Sequence, residues 1–310
     1  MERWASQPRR LRRPLPRLPE RCTFGSEANG ELEVVAAGVT AYAYSVCAPD
    51  KTPELNQDAF TLDVATDGLR LLAVVADGVS SSGHAGLWAR TLCQEVAREA
   101  SPFVHASCGE LTALSAPTLR QANTLYHAAL NIQQSPDSVG TELAYFSRAQ
   151  VLQAPGSATL VCCAVDAVHM QVTSYGLGDT MLFRLPTLGN IELIAGAPTA
   201  SGKAPQQVQA SALETGEARI SAGPGGHLTT THYVAGDCFL LATDALAEYI
   251  YAGLSLDDLE DNAEVRARAV GAALHQGPEA ISALIAAKRL EGAYATDDTT
   301  AIWIDTELAL

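Results

Sequence analysis

No run of apolar residues in the 310-residue chain approaches the roughly 18 that cross a membrane as a helix. The first residues also lack the apolar core of a signal peptide. Seven cysteines occur, an odd number and without C-x-x-C spacing, which argues against a disulfide framework and against a zinc knuckle. Cys162 and Cys163 are adjacent, so on a strand they face opposite ways. Buried, reduced thiols in a cytoplasmic protein are the reading. His105, His127, His169, His227, His232 and His275 show no metal-ligand spacing, and no internal repeat is visible.

Basic residues are scarce outside one short stretch. Residues 1–21 hold seven arginines (Arg3, Arg9, Arg10, Arg12, Arg13, Arg17 and Arg21) against Glu2 and Glu20. Of 20 basic and 35 acidic residues, this leaves 13 and 33 for the remainder, a net charge of −20. So acidic a body repels nucleic acid and favours cations and basic partners. The stretch also carries Pro8, Pro14, Pro16 and Pro19 and has no helical periodicity. Residues 1–30 are therefore expected to be a disordered arm. A tether to an anionic surface is its sharper reading, and a solvated tail is preferred. Residues 31–310 are expected to form one domain of ordinary globular composition.

The pattern of that domain is α+β. Val34 to Val46 reads as a strand, and Phe60 to Val64 and Leu69 to Ala76 as a hairpin closed by Thr66-Asp67-Gly68. Helices are expected over Gly83 to Ala100 and Pro117 to Gln133. Ala158 to Val165, Met170 to Tyr175 and Met181 to Leu185 read as successive antiparallel strands. Gly196 to Thr231, rich in small and turn-forming residues, reads as an irregular lid. Tyr233 to Thr243 reads as a strand, followed by helices over Ala247 to Tyr251, Leu256 to Leu274 and Pro278 to Leu290. Thr300 to Ile304 closes the domain as a strand. Meanders with helix pairs between them favour α+β over βαβ units.

Five acidic stretches lie at the ends of these strands: Asn56-Gln57-Asp58-Ala59-Phe60, Ala76-Asp77-Gly78-Val79, Gly176-Leu177-Gly178-Asp179-Thr180, Ala242-Thr243-Asp244-Ala245 and Asp297-Asp298-Thr299-Thr300. Aspartate is depleted in strands and costly to bury alone, so several such carboxylates invite a shared cation. Oxygen-only ligands suit magnesium, manganese or calcium.

Together with Gly156-Ser157-Ala158-Thr159, these motifs in this order resemble the PPM family, the type-2C-like metal-dependent Ser/Thr protein phosphatases, in its bacterial form. The resemblance runs from about Tyr44 to Ile304. It implies a four-layer α-β-β-α sandwich of two antiparallel sheets, with two Mn2+ or Mg2+ ions at one edge. Asp77 would bridge both ions and the Gly78 carbonyl would bind the second. Asp244 and Asp297 would complete the first, and Gln57 would face the second. Asp58 would orient a water that attacks phosphorus while the cations neutralise the phosphoryl oxygens. The implied substrate is a phosphorylated protein, basic by charge, with a Ser/Thr kinase as counterpart.

Plainer roles compete at some positions. Asp58 fits an Asx turn, Asp244 a helix cap, and Asp179 a β-turn, which is its preferred role. His84 reads as a solvated histidine at a helix start. The chain also departs from the family. Gln57 stands where many relatives carry glutamate, which lowers the charge available to the second ion. Pro53 replaces the phosphate-gripping arginine, with Lys51 nearby as a single-point substitute. Ala245 replaces a glycine, and Gln153 stands where an aspartate would bind a third ion. An inactive binding module and a phosphatase of a small phosphorylated molecule remain the rival readings.

Overall fold

The computed structural model describes residues 22–24, 30–35, 39–51, 55–65, 68–105, 115–133, 155–198, 207–211, 218–220, 228–255 and 262–306. Residues 1–21, Pro53, Gln153 and most of the expected lid lie outside them. Among the described residues, no helix is long and apolar enough to cross a membrane.

Apolar side chains on alternate positions build three layers of core. In β5 (Arg70–Gly78), Leu72, Val74 and Ala76 face one way and Leu71, Ala73 and Val75 the other. β6 (Ser157–Asp166) is buried along its whole length and splits in the same manner, with Cys162 and Cys163 on opposite faces. The first face packs on α1 (Ala85–His105) and α2 (Ala116–Gln133) through Trp88, Leu92 and Tyr126. The second meets Ala41, Ala43, Phe239, Leu241, Ile302 and Ile304 from the other sheet. That sheet's outer face, with Phe183, Leu240 and Trp303, is covered by α3 (Asp244–Ala252), α4 (Ala263–Gln276) and α5 (Pro278–Leu290). Each fully buried large apolar side chain contributes roughly 1.5–3 kcal/mol. The result is the α-β-β-α sandwich.

The first sheet runs β1 (Cys22–Phe24), β4 (Ala59–Val64), β5, β6, β7 (Gln171–Leu177) and β12 (Leu228–His232). β10 (Val208–Gln209) and β11 (Arg219–Ile220) extend it beside the start of β6. The second runs β2 (Gly30–Val35), β3 (Val39–Val46), β14 (Thr299–Thr306), β13 (Cys238–Ala242), β8 (Met181–Leu185) and β9 (Glu192–Ala195). All ladders are antiparallel.

Several expectations change in detail. Cys22–Phe24, inside the segment read as an arm, pairs with β4, and Gly30 opens β2. The expected strand over 34–46 is two strands, β2 and β3, paired with each other. β8 does not continue the meander of β6 and β7. Gly178, with φ of 91°, turns the chain there, and β8 pairs with β13 in the other sheet. The expected strand over 233–243 breaks at a turn. Asp237, fully buried, holds that turn by accepting from Val234 N–H (3.2 Å), Thr187 N–H (2.8 Å) and Arg184 (2.7 Å). These hydrogen bonds, and the Arg184 charge beside it, outweigh burial and hold the Asp237 carboxyl below the usual range.

Candidate active site

Register explains why the acidic motifs meet. β5 and β14 are antiparallel to the neighbours that carry the other motifs. Consequently Asp77 at the end of β5, Ser157 at the start of β6 and Asp58 just before β4 fall on one edge of the first sheet. The end of β13, the start of β14 and the start of β8 fall on one edge of the second. The inward-facing positions turn polar there. Val39, Ala41 and Ala43 give way to Ser45, Val161 to Thr159, Leu241 to Thr243, and Ile302 to Thr300.

These hydroxyls tie the sheets together around Asp58. Ser45 Oγ and Thr300 Oγ1 share a hydrogen bond of 2.7 Å, and Asn56 Nδ2 donates to Ser45 Oγ at 3.0 Å. Thr243 Oγ1 donates to Asp58 Oδ2 at 3.0 Å and accepts from Thr300 N–H at 2.9 Å. Asp58 Oδ1, equally buried, has no hydrogen-bond partner among the described residues. The Asx-type contact belongs to Asn56, whose Oδ1 accepts from Asp58 N–H at 3.0 Å.

Asp77 pairs with Thr159 in the ladder, beside the Thr159–Thr180 hydroxyl contact of 2.6 Å. Gly78 has to be glycine for steric reasons. A Cβ there would lie 2.6 Å from the Gln57 carbonyl oxygen and 2.8 Å from the Ala85 backbone, so the 56–58 loop and the start of α1 close on it. Asp244 is the first residue of α3, where its charge is favoured by the helix dipole. Thr243 holds the N-cap position, and the Asp244 carboxylate accepts from Ala245 N–H. His84 is buried, with φ of 52°, and not solvated at the helix start; burial lowers its proton affinity.

The carboxylates feel one another strongly. Burial raises the Asp58 carboxyl well above the usual range, with Asp298 and Asp244 adding to it. Burial does the same to Asp77, reinforced by Asp58, Asp244, Asp179 and Asp297. Asp244 is pushed up to about 7 by burial, then by Asp179 and Asp297. Asp179 thus combines the expected turn position with a place in the acidic field. Among the described residues, no three His, Cys, Asp or Glu side chains are already gathered tightly enough to hold a metal ion. In donor chemistry alone, the carboxylate oxygens of Asp77, Asp244 and Asp297 are of the kind a hard divalent cation takes; Asp77 and Asp244 feel their acidic neighbours, and Asp58 Oδ1 is buried without a hydrogen-bond partner among the described residues.

Sequence reasoning missed two organisers. Asp298, buried, accepts from Ala48 N–H (2.7 Å), Gln57 N–H (2.7 Å) and Lys51 Nζ (3.0 Å), so it holds these three residues beside the 297–299 turn. Arg289 of α5 donates to the Asp297 carbonyl and to Thr299 Oγ1, fixing the 297–299 turn from behind. The Asp-Asp pair was visible in the sequence, but not which member faces inward. Nothing local marks Arg289.

Lys51 reaches into the cluster. Its Nζ lies 3.0 Å from Asp298 Oδ2, 3.4 Å from Asp297 Oδ1 and 3.2 Å from Gln57 Oε1. Burial works against its charge, but the hydrogen bonds and fields of Asp298 and Asp297 outweigh it and hold the ammonium above the usual lysine range.

The protein phosphatase 2C family matches residues 51–280, three quarters of the chain, and the chain belongs to that family. No curated protein matches it. Among solved structures, RsbX in complex with magnesium is 13% identical, with 90% of this chain and 100% of that one covered and a TM-score of 0.49. PppA of Pseudomonas aeruginosa is 18% identical, covering 87% and 99% with a TM-score of 0.46. The phosphatase PstP/Ppp of Mycobacterium tuberculosis is 18% identical, with the same coverages and a TM-score of 0.44. These likenesses are weak, and the family assignment rests on the match over residues 51–280.

Proposed function

We propose that the chain is a metal-dependent phosphoprotein phosphatase of the cytoplasm, hydrolysing phosphoserine or phosphothreonine with manganese or magnesium. The observation that carries this reading is the convergence of Asp58, Asp77, Asp244 and Asp297, from four separate segments of the chain, at one edge of the sheets.

Asp77, Asp244 and Asp297 would hold the ion. When bound, it supplies Lewis-acid charge to the phosphoryl group and makes water a better nucleophile. Asp58 positions the attacking water. Thr243 holds its Oδ2, which leaves Oδ1 to accept from that water. The Lys51 ammonium offers a point charge to the phosphoryl oxygens. An acidic body favours a basic phosphoprotein, made by a Ser/Thr kinase, over nucleic acid.

The test is hydrolysis of a phosphothreonine peptide and of p-nitrophenyl phosphate, with and without added Mn2+. Asp77→Asn and Asp244→Asn are expected to lower turnover at least a hundredfold, the scale of losing a charge-stabilising group. Undiminished turnover in EDTA would remove the mechanism. The neutral Gln57 favours one alternative, an inactive module that binds a phosphopeptide without cleaving it. Binding of the phosphothreonine peptide by wild type with no turnover at saturating Mn2+ selects that alternative.

A further inference from the structure

We infer that the second cation position of this site belongs to the Lys51 ammonium, so that the chain holds one divalent ion and not two. This rests on the metal-dependent reading above and deepens it. Three oxygens surround Lys51 Nζ: Gln57 Oε1 at 3.2 Å, Asp298 Oδ2 at 3.0 Å and Asp297 Oδ1 at 3.4 Å. Its side chain is only 22% exposed, so the ammonium is lodged among these oxygens and not waving at the rim.

Gln57 supplies the decisive chemistry. An amide oxygen has two lone pairs. Here one accepts from Ser80 Oγ at 2.6 Å and the other from Lys51 Nζ. Turning the amide over would set its NH2 group against an ammonium, so the oxygen is correctly assigned to that side. Both lone pairs are therefore committed, and none is left for a metal. Asp297 Oδ1 is engaged in the same way, by Lys51 and by Asp298 N–H at 2.8 Å, while no hydrogen bond of the described residues is given to Oδ2.

Charge at position 57 points the same way, because a neutral amide oxygen faces the ammonium there. The neutral Gln57 and the nearby Lys51 are thus one arrangement. A glutamate at 57 would provide for a second dication, and a glutamine provides for a lysine.

The test counts metal. Metal-free protein is dialysed against Mn2+, bound manganese is measured by elemental mass spectrometry, and stoichiometry is checked by titration calorimetry. Wild type is expected to bind one Mn2+ per chain. The double variant Lys51→Ala/Gln57→Glu, with its melting temperature confirming a folded chain, is expected to bind two. Two ions in wild type would overturn the inference and leave the phosphatase reading intact. One ion in the folded double variant would also overturn it. No manganese in wild type would sink the underlying reading, and the inference with it.

Discussion

Thr243→Val removes one oxygen atom from the clasp between the sheets and keeps the shape of the side chain. Thr243 is fully buried. Its hydroxyl gives a proton to Asp58 Oδ2 at 3.0 Å and takes one from Thr300 N–H at 2.9 Å. Valine strands both groups away from water. Each stranded buried group costs about 1–3 kcal/mol, and the added methyl returns about 0.8 kcal/mol. The net loss is expected to be about 1–5 kcal/mol, a large share of the roughly 5–15 kcal/mol that stabilises a domain. Thr243→Ser keeps the hydroxyl and gives up only a methyl group, at about 1 kcal/mol. Urea unfolding in EDTA, followed by circular dichroism, separates the two through their midpoints at unchanged slope. If valine were tolerated as well as serine, the hydroxyl would not be holding Asp58, and the account of the polar edge would fail.

Stability of the metal-free protein should depend on pH in an unusual direction. The Asp244 carboxyl is pushed up to about 7 by burial first and by Asp179 and Asp297 next, and Asp58 and Asp77 are raised in the same direction, so folding increases the proton affinity of the cluster. A folded pKa above the unfolded one in an acid means stability is lost as pH rises through the folded value, so the melting temperature in EDTA should rise from pH 8 to pH 6. His84, whose proton affinity is lowered by burial, opposes this only below its unfolded value of 6.5. Melting curves at pH 8, 7 and 6 that fall on acidification would contradict the crowding of the carboxylates. Arg289→Met removes the guanidinium behind Asp297 and Thr299 and is expected to weaken Mn2+ binding about tenfold, about 1.4 kcal/mol. A calorimetric affinity equal to wild type would show that the 297–299 turn holds its shape without it.

What the sequence disclosed depended on range. Leu71 to Val75 and Leu240-Leu241 announce strands because a buried strand needs apolar residues on both faces, and the motifs beside them announced the edge. The path of β8 was not legible. A Gly-Asp-Thr turn after β7 looks like a hairpin, and only the partners of Met181–Leu185, found on β13, show that the chain changes sheet. The break between β12 and β13 was hidden for a related reason. Tyr233 and Phe239 both have strand character and both join the inter-sheet core, so the apolar pattern runs across a turn that the distant Arg184 and Thr187 secure through Asp237. At the site, the acidic motifs were visible in the sequence, but the tasks of Lys51, Ser80 and Asp298 arise from contacts across loops.

The polar edge also acts as a wedge. Asp58 belongs to one sheet, Thr243 and Thr300 to the other, and like charges between them push while hydroxyls pull. At the other end of the sandwich, Asp237 is matched by Arg184 and Asp166 by Arg70, with no such tension. The tension is localised where the chemistry would occur, which sets a limit on improving the fold. Substitutions that relieve the wedge with apolar side chains would make a harder, quieter sandwich, and the robustness gained would be taken directly from the proposed ion site.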